Sequence, residues 1–376
     1  MMQIEQMRTP FFLVDEKKLI QNLEILKEIQ DDTGCKILLA QKAFSMFACY
    51  PLISRYLAGT TASGLYEARL GKEEFGGETH IYSPAYREDE FDEILAVADD
   101  IVFNSPAQVK CYGKRAKAAG KSIGLRINPE CSTQEGHAIY DPCGEGSRLG
   151  TVLSQFDESL LPLLDGFHFH TLCEQNSDDL ATTARAVEEK FGRYLSGRKW
   201  LNMGGGHHIT REDYDRKMLK EVIRHFQDTY GVQVYLEPGE AVVLNAGCLV
   251  SEVLEVVQND MEIAIVDTSA ACHMPDVLEM PYRPPLKDSG KPHEKAYTYR
   301  LAGPTCLAGD VIGDYSFDQP LKKGDRIILE DMALYTMVKT NTFNGMRLPD
   351  IAIQKVDGSI QMIKRFGYKD FKYRLS

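Results

Sequence analysis

The chain has 376 residues, 43% of them hydrophobic and 26% charged, and a formal net charge of −12. That balance argues against nucleic acid as a partner, because phosphate binding needs a basic surface, and no apolar run is long enough to span a membrane. Nine cysteines stand singly with no CxxC pair, and the start lacks the basic-then-apolar pattern of a secretory signal, so reduced thiols in the cytoplasm are expected rather than a disulfide frame or zinc ribbon.

Residues 11–15 read as a short strand, and residues 16–30 as an amphipathic helix with Leu19, Leu23, Leu26 and Ile29 on one face. An alternation follows. Strand-like runs at 36–42, 59–63, 78–83, 100–104, 122–128, 166–172, 199–203 and 233–236 are separated by helical patterns at 65–75, 88–97, 106–119, 178–195 and 211–230. Eight strands, nearly all followed by a helix, predict an α/β fold with a closed (β/α)8 TIM-type barrel over residues 15–239. The gap 129–165 is long for a connection and reads as a functional loop, holding Ser132-Thr-Gln-Glu-Gly136 and a short helix at 154–164.

After Glu237-Pro-Gly239 the texture changes to short strands at 250–257, 261–267, 297–302, 325–330 and 361–364, with turn signals such as Lys323-Gly-Asp325 between them. These predict a β-rich C-terminal domain made of 240–376 with 1–14, the strand at 11–15 joining it.

Functional groups of such barrels gather at the carboxyl ends of the strands. Those ends carry Lys42, Ala62-Ser63, Arg126 and Asn128, His168 and His170, Gly204-Gly-Gly206-His-His208, and Glu237. A lysine ending a buried strand either snorkels to water or is a desolvated amine able to form a Schiff base. Three glycines between a strand and a helix near the end of the barrel suit a phosphate, or simply a tight turn. His168 and His170, two apart, could share a metal as in barrel hydrolases; His168 could be a core histidine, and His170 could lay its ring on a flat cofactor. The other strand ends favour the cofactor over the metal. Glu237, ending a buried strand, needs a cationic partner, which a protonated pyridine nitrogen would be. Together these describe pyridoxal 5′-phosphate.

The whole chain resembles the barrel-plus-β-domain pyridoxal phosphate enzymes of the alanine racemase and ornithine/diaminopimelate decarboxylase group, and within them the carboxynorspermidine/carboxyspermidine decarboxylases. The resemblance rests on Ala40-Gln-Lys42-Ala-Phe44, Phe169-His170-Thr-Leu-Cys-Glu174, Asn202-Met-Gly-Gly-Gly-His-His208, Glu237-Pro-Gly-Glu240, Asp267-Thr-Ser-Ala-Ala-Cys-His-Met-Pro-Asp276, Pro281-Tyr-Arg-Pro284, Gly303-Pro-Thr-Cys306-Leu-Ala-Gly-Asp310 and Glu330-Asp-Met-Ala-Leu-Tyr335. It implies that Lys42 carries the cofactor and His170 stacks on its ring. Gly204, Gly205 and Gly206 would bind the phosphate together with the Tyr335 hydroxyl. Glu237 would keep the pyridine protonated, and Arg126 would lie at the ring's phenolic edge. Cys306, from the β domain of a partner subunit in a homodimer, would act in protonation.

Three departures from the pattern stand out. Glu240 stands where an arginine commonly helps hold the phosphate, so it repels a phosphate or faces the substrate. Cys173 and Glu174 replace a small Ser-rich turn. Glu67 is displaced by one place from a usual acid and receives no role. The implied activity is decarboxylation of a carboxylated polyamine, carboxynorspermidine or carboxyspermidine, whose cationic tail calls for carboxylates. Glu174, Glu240, Asp276, Glu279 and Asp310 are the candidates, against a reading as ordinary surface acids. Alternatives are decarboxylation of meso-diaminopimelate or ornithine, and a catalytically inactive regulatory relative. Glu237 argues against a racemase, which would favour arginine at the pyridine nitrogen.

Overall fold

The computed structural model describes residues 4–135 and 138–376; Gly136, in the Ser132-Thr-Gln-Glu-Gly136 run, lies outside them. The chain divides into two compact units, one of Asn22–Val242 and one of Met1–Gln21 with Val243–Ser376.

In the first unit, β2 (Lys36–Ala40), β3 (Gly59–Ala62), β4 (Glu78–Tyr82), β5 (Asp100–Phe103), β6 (Ser122–Arg126), β7 (Gly166–His168), β8 (Trp200–Asn202) and β9 (Gln233–Leu236) form a closed parallel barrel. Pairing of Lys36 with Tyr235 and Ile37 with Leu236 closes it. The strands are largely buried on both faces, so β2, β5 and β9 read as apolar runs rather than alternating ones. All but β9 stop earlier than the sequence suggests, β7 at His168 rather than at residue 172. The reason is that burial outlasts the ladder: Phe169 and Leu172 are buried in the loop over the rim, and their apolar character extends the apparent strand.

Two of the longer barrel helices begin where a side chain caps them. Asn176 caps Ser177–Leu195, and Asp215 caps Arg216–Tyr230, which therefore starts five residues later than its pattern. Gly231, in the left-handed conformation at φ 69°, ends the latter. Between β6 and β7 the expected helix is two 3-10 segments, Leu153–Gln155 and Glu158–Leu163, the second containing Pro162, which cannot donate a helical hydrogen bond. The long loop is tied to the rim: Asn104 Nδ2 donates to Arg148 O (2.9 Å), and Gln175 Nε2 donates to Thr133 O (2.9 Å).

The amino-terminal end of the barrel is closed by a charged cluster. His80 Nε2 lies 3.2 Å from Glu78 Oε2 and 3.3 Å from Asp100 Oδ2. Lys36 pairs with Glu78, and the Tyr235 hydroxyl donates to Glu78 at 3.1 Å. Burial works against a charge on His80, but Glu78, Asp100 and Glu237 outweigh it and raise its pKa.

The second unit is built on an eight-stranded sheet. Its strands are β1 (Phe11–Asp15), β10 (Gly247–Asn259), β11 (Met261–Val266), β12 (Tyr297–Ala302), β13 (Val311–Phe317), β14 (Arg326–Glu330), β15 (Asp350–Gln354) and β16 (Ile360–Lys364). β1 joins it as expected, antiparallel to β10 and parallel to β15. Strands β13 and β15 are additions to the sequence reading. Among the described residues, no helix is long and apolar enough to cross a membrane.

Candidate active site

At the carboxyl end of the barrel the first turn after β2 carries Lys42. Its side chain is open to solvent by surface area, yet the rim encloses it. That enclosure, and then the charge of Arg126, push its amine below the ordinary lysine range against the opposing pull of Glu237, Cys173 and Glu240. Among the described residues the amine makes no hydrogen bond or ion pair, so no protein group holds it.

Glu237, directly after β9, is 8% exposed, and both of its oxygens are engaged. Asn202 Nδ2 donates to Oε1 at 2.8 Å, and His168 Nε2 lies 3.1 Å from Oε2. Burial alone would raise this carboxyl; His168, Asn202 and the charge of His80 instead hold it at about 2, so it is anionic at neutral pH. Burial, with the charges of Arg126 and Lys42, outweighs Glu237 and keeps His168 below its ordinary value. His168 is therefore a neutral imidazole donating through Nε2.

His170 is half-buried by surface area but closely surrounded. Enclosure, then Lys42 and Arg126, hold it well below the ordinary histidine value. Its Nδ1 accepts from the Gly205 N–H at 2.8 Å, which fixes the proton on Nε2. Arg126 is 5% exposed. It donates to His170 O at 3.2 Å and lies 4.6 Å from the centre of the Tyr82 ring, and that ring stacks with His168 at 5.5 Å and 14°.

The three glycines answer first to the barrel itself. A Cβ at Gly204 would stand 2.6 Å from Phe169 O, at Gly205 2.2 Å from Glu237 O, and at Gly206 2.0 Å from Leu172 O. Backbone just beyond β7 and β9 leaves no room for a side chain. The N–H of Gly204 is already given to Asn202 Oδ1 (2.9 Å) and that of Gly205 to His170. Among the described residues the N–H of Gly206 makes no hydrogen bond, so the phosphate expectation narrows to that end of the turn.

Glu240 Oε2 lies 2.7 Å from His208 Nε2. Glu174 is exposed at φ 57°. Lys42, Arg126, His170, Gly204–Gly206, Glu237 and Glu240 thus belong to one rim.

The remaining candidates belong to the sheet unit. Cys306 is exposed in a turn that is itself held, its N–H donating to Asn344 Oδ1 at 2.8 Å. Tyr335 is half-buried. Two acids expected to be open to a cationic tail are engaged with Lys339, whose amine reaches Asp276 Oδ1 at 2.5 Å and Glu279 Oε2 at 2.9 Å. Asp310 is 2% exposed and no surface acid, accepting from Thr305 Oγ1 at 2.6 Å and from the Ala271 N–H at 3.3 Å.

Several groups of this site escaped the sequence reading. Tyr82 and Asn202 each end a barrel strand, the same signal that singled out Lys42. The pairing of His208 with Glu240 carries no sequence signal. Glu67 accepts from the Ser63 N–H at 2.6 Å, and its carboxyl is raised by burial against that bond and the charge of Lys42. Among the described residues one set of three potential metal ligands comes together, Glu78, His80 and Asp100. It lies at the other end of the barrel, with Lys36 already on Glu78.

An unengaged amine of lowered pKa, a buried anionic carboxylate and a neutral imidazole fit a cofactor with an aldehyde and a basic ring nitrogen.

The family described as pyridoxal-dependent decarboxylase, C-terminal sheet domain, matches residues 11–333. A carboxynorspermidine/carboxyspermidine decarboxylase of Campylobacter jejuni subsp. jejuni is 42% identical over 98% of this chain and 99% of its own. A carboxyaminopropylagmatine decarboxylase of Synechocystis is 41% identical over 99% of this chain and 96% of its own. The crystal structure of the carboxynorspermidine decarboxylase from C. jejuni, complexed with norspermidine, superposes with a TM-score of 0.92 at 42% identity, covering 98% of this chain and all of that one.

Proposed function

The chain belongs to the pyridoxal-dependent decarboxylase family, and on that premise we propose that it removes the carboxylate of a carboxylated polyamine, carboxynorspermidine or carboxyspermidine, to leave the polyamine and carbon dioxide. The observation that carries this reading is Lys42. Its amine is unengaged and of lowered pKa, on a rim that also holds a buried anionic Glu237.

Bound pyridoxal phosphate supplies an electron sink for the pair left when carbon dioxide departs. Lys42 is the residue that holds the cofactor through its amine. Glu237, kept anionic by His168 and Asn202, keeps the proton on the ring nitrogen. His170 offers a neutral ring face, its orientation set by the Gly205 N–H. The unengaged N–H of Gly206 serves the phosphate, with the hydroxyl of Tyr335, and Arg126 attends the phenolic edge. Glu240 presents a carboxylate to the rim and with Glu174 receives the cationic tail. Asp276, Glu279 and Asp310 act in tail recognition by holding their loops, through Lys339 and Thr305. Cys306 of a second copy of the chain returns a proton to the carbon that lost its carboxylate, in a cytoplasmic homodimer whose sheet units complete the sites.

A second substrate reading has a specific support: the Synechocystis relative, named for carboxyaminopropylagmatine, is nearly as similar as the Campylobacter one. Carboxyaminopropylagmatine differs from the two triamines in carrying a guanidine at the tail.

The test begins with borohydride reduction of the protein loaded with pyridoxal phosphate and mapping of the modified peptide, expected at Lys42. Carbon dioxide release is then measured from carboxynorspermidine, carboxyspermidine, carboxyaminopropylagmatine, meso-diaminopimelate and ornithine. Turnover of a carboxylated triamine at kcat/KM at least roughly a hundredfold above the two amino acids supports the reading. Preference for diaminopimelate or ornithine, or a label away from Lys42, overturns it.

A further inference from the structure

Glu237 is gripped from two sides. On one side a ring of hydrogen bonds closes through the backbone. Asn202 Nδ2 donates to Glu237 Oε1 at 2.8 Å, the Gly204 N–H donates to Asn202 Oδ1 at 2.9 Å, and the Glu237 N–H donates to Gly204 O at 2.7 Å. The Asn202 amide therefore has one orientation. On the other side, among the described residues, a single donor reaches Oε2, His168 Nε2 at 3.1 Å.

His168 is 2% exposed, and among the described residues its buried Nδ1 has no hydrogen-bond partner. An orphaned buried nitrogen is destabilising, and an apolar residue would fill the same space without it. The imidazole is thus explained by what its other nitrogen does. Its ring is set by the Tyr82 stack, and Tyr82 is in turn held by its hydroxyl bond to Asn104 Oδ1 at 2.7 Å.

Resting on the pyridoxal phosphate reading, we propose that His168 is a positioning residue for Glu237: its Nε2–H, with the amide of Asn202, fixes the carboxylate's direction and keeps it an anion where it meets the cofactor's ring nitrogen. The other charged groups acting on this pair are His80 beneath it and Lys42 and Arg126 on the rim. None of them donates a hydrogen bond to either carboxylate oxygen, so none replaces His168.

The experiment uses the full chain with H168L, H168F and H168Q. Leu and Phe remove the donor; Gln places an amide nitrogen about where Nε2 lies. H168F also keeps a flat ring against Tyr82 and serves if H168L does not fold. Glu237 is followed by carboxyl carbon-13 titration of the cofactor-free chain, assigned with E237Q. In the parent its midpoint is expected at about 2. It is expected to rise by roughly one pH unit or more in H168L and H168F, and to stay within roughly half a unit in H168Q. Affinity for pyridoxal phosphate is expected to fall roughly tenfold or more in the donor-less variants and roughly threefold at most in H168Q. A folded donor-less variant with an unmoved Glu237 midpoint overturns the inference, as does an H168Q that shifts as far as H168L. If the parent takes up no pyridoxal phosphate while Glu237 responds as expected, the functional reading fails and the positioning role stands.

Discussion

Glu240 Oε2 stands 2.7 Å from His208 Nε2, and the carboxylate's second oxygen accepts no hydrogen bond among the described residues. The charge reaches the rim, since it is one of the groups pulling the Lys42 amine upward. An acid held at one oxygen and open at the other suits an ammonium group better than a phosphate. E240Q is expected to raise KM for a carboxylated triamine roughly tenfold while kcat changes by less than about threefold, the signature of lost uniform binding. Steady-state kinetics with the triamine check this. An unchanged KM would remove Glu240 from the tail site.

Capture of the cofactor needs the neutral amine of Lys42. Enclosure and Arg126 lower its pKa, so the neutral fraction is larger at a given pH than for an ordinary lysine. Stopped-flow mixing of cofactor-free protein with pyridoxal phosphate should show a capture rate that rises with pH and levels off at a midpoint below about 10.4, the ordinary lysine value. K42A should yield no adduct fixed by borohydride and lose activity on the order of 10³-fold or more.

How far the sequence reveals this arrangement depends on the residue. Lys42 and Glu237 are legible because a charged group at the end of a buried strand is costly without a purpose. Strand order and barrel closure follow from eight repeated units, whereas β13 and β15 carry little signal: β13 alternates weakly around Gly313 and Asp314, and β15 is only Asp-Ile-Ala-Ile-Gln. The glycine run is legible as a tight turn, but not which of its N–H groups the barrel consumes. That depends on Asn202 and His170, distant in sequence from it or pointing in directions no pattern records. Asp276 and Glu279 look like open acids because their partner, Lys339, lies 63 and 60 residues further along the chain.

The same glycines permit a test of packing apart from chemistry. A methyl at Gly205 meets Glu237 O at 2.2 Å, and one at Gly206 meets Leu172 O at 2.0 Å on a backbone at φ 80°. Neither neighbour is a flexible side-chain end, so the backbone beyond β9 or β7 must shift. G205A and G206A are each expected to destabilise the protein by roughly 2–4 kcal/mol, visible as a lower melting temperature of the cofactor-free protein. A control at Gly76, where a Cβ meets nothing within 4 Å but φ is 80°, should cost less, about 1 kcal/mol.

The charged cluster at the far end of the barrel predicts an alkaline limb of stability. His80 is 1% exposed, and Glu78, Asp100 and Glu237 raise its pKa in the folded protein despite burial. A group whose folded pKa exceeds its unfolded one stabilises fully below the unfolded value, about 6.5 for histidine, and that contribution is lost as pH rises through the folded value. Glu78, held at about 2 by His80 and Lys36 against burial, acts in the opposite sense and only in acid. On these two groups the parent should be most stable between about pH 4.3 and 6.5 and lose stability as pH rises through the folded value of His80. H80Q keeps a donor but no charge, leaving Glu78 and Asp100 with Lys36 as the cation bonded within the cluster. It is expected to cost about 3 kcal/mol at pH 6, where a buried pair is broken, and less at pH 9, so that its alkaline limb is flatter than the parent's. Urea unfolding of cofactor-free protein at pH 6, 7.5 and 9 measures both limbs, and an equal loss at all three would show that His80 acts by shape alone.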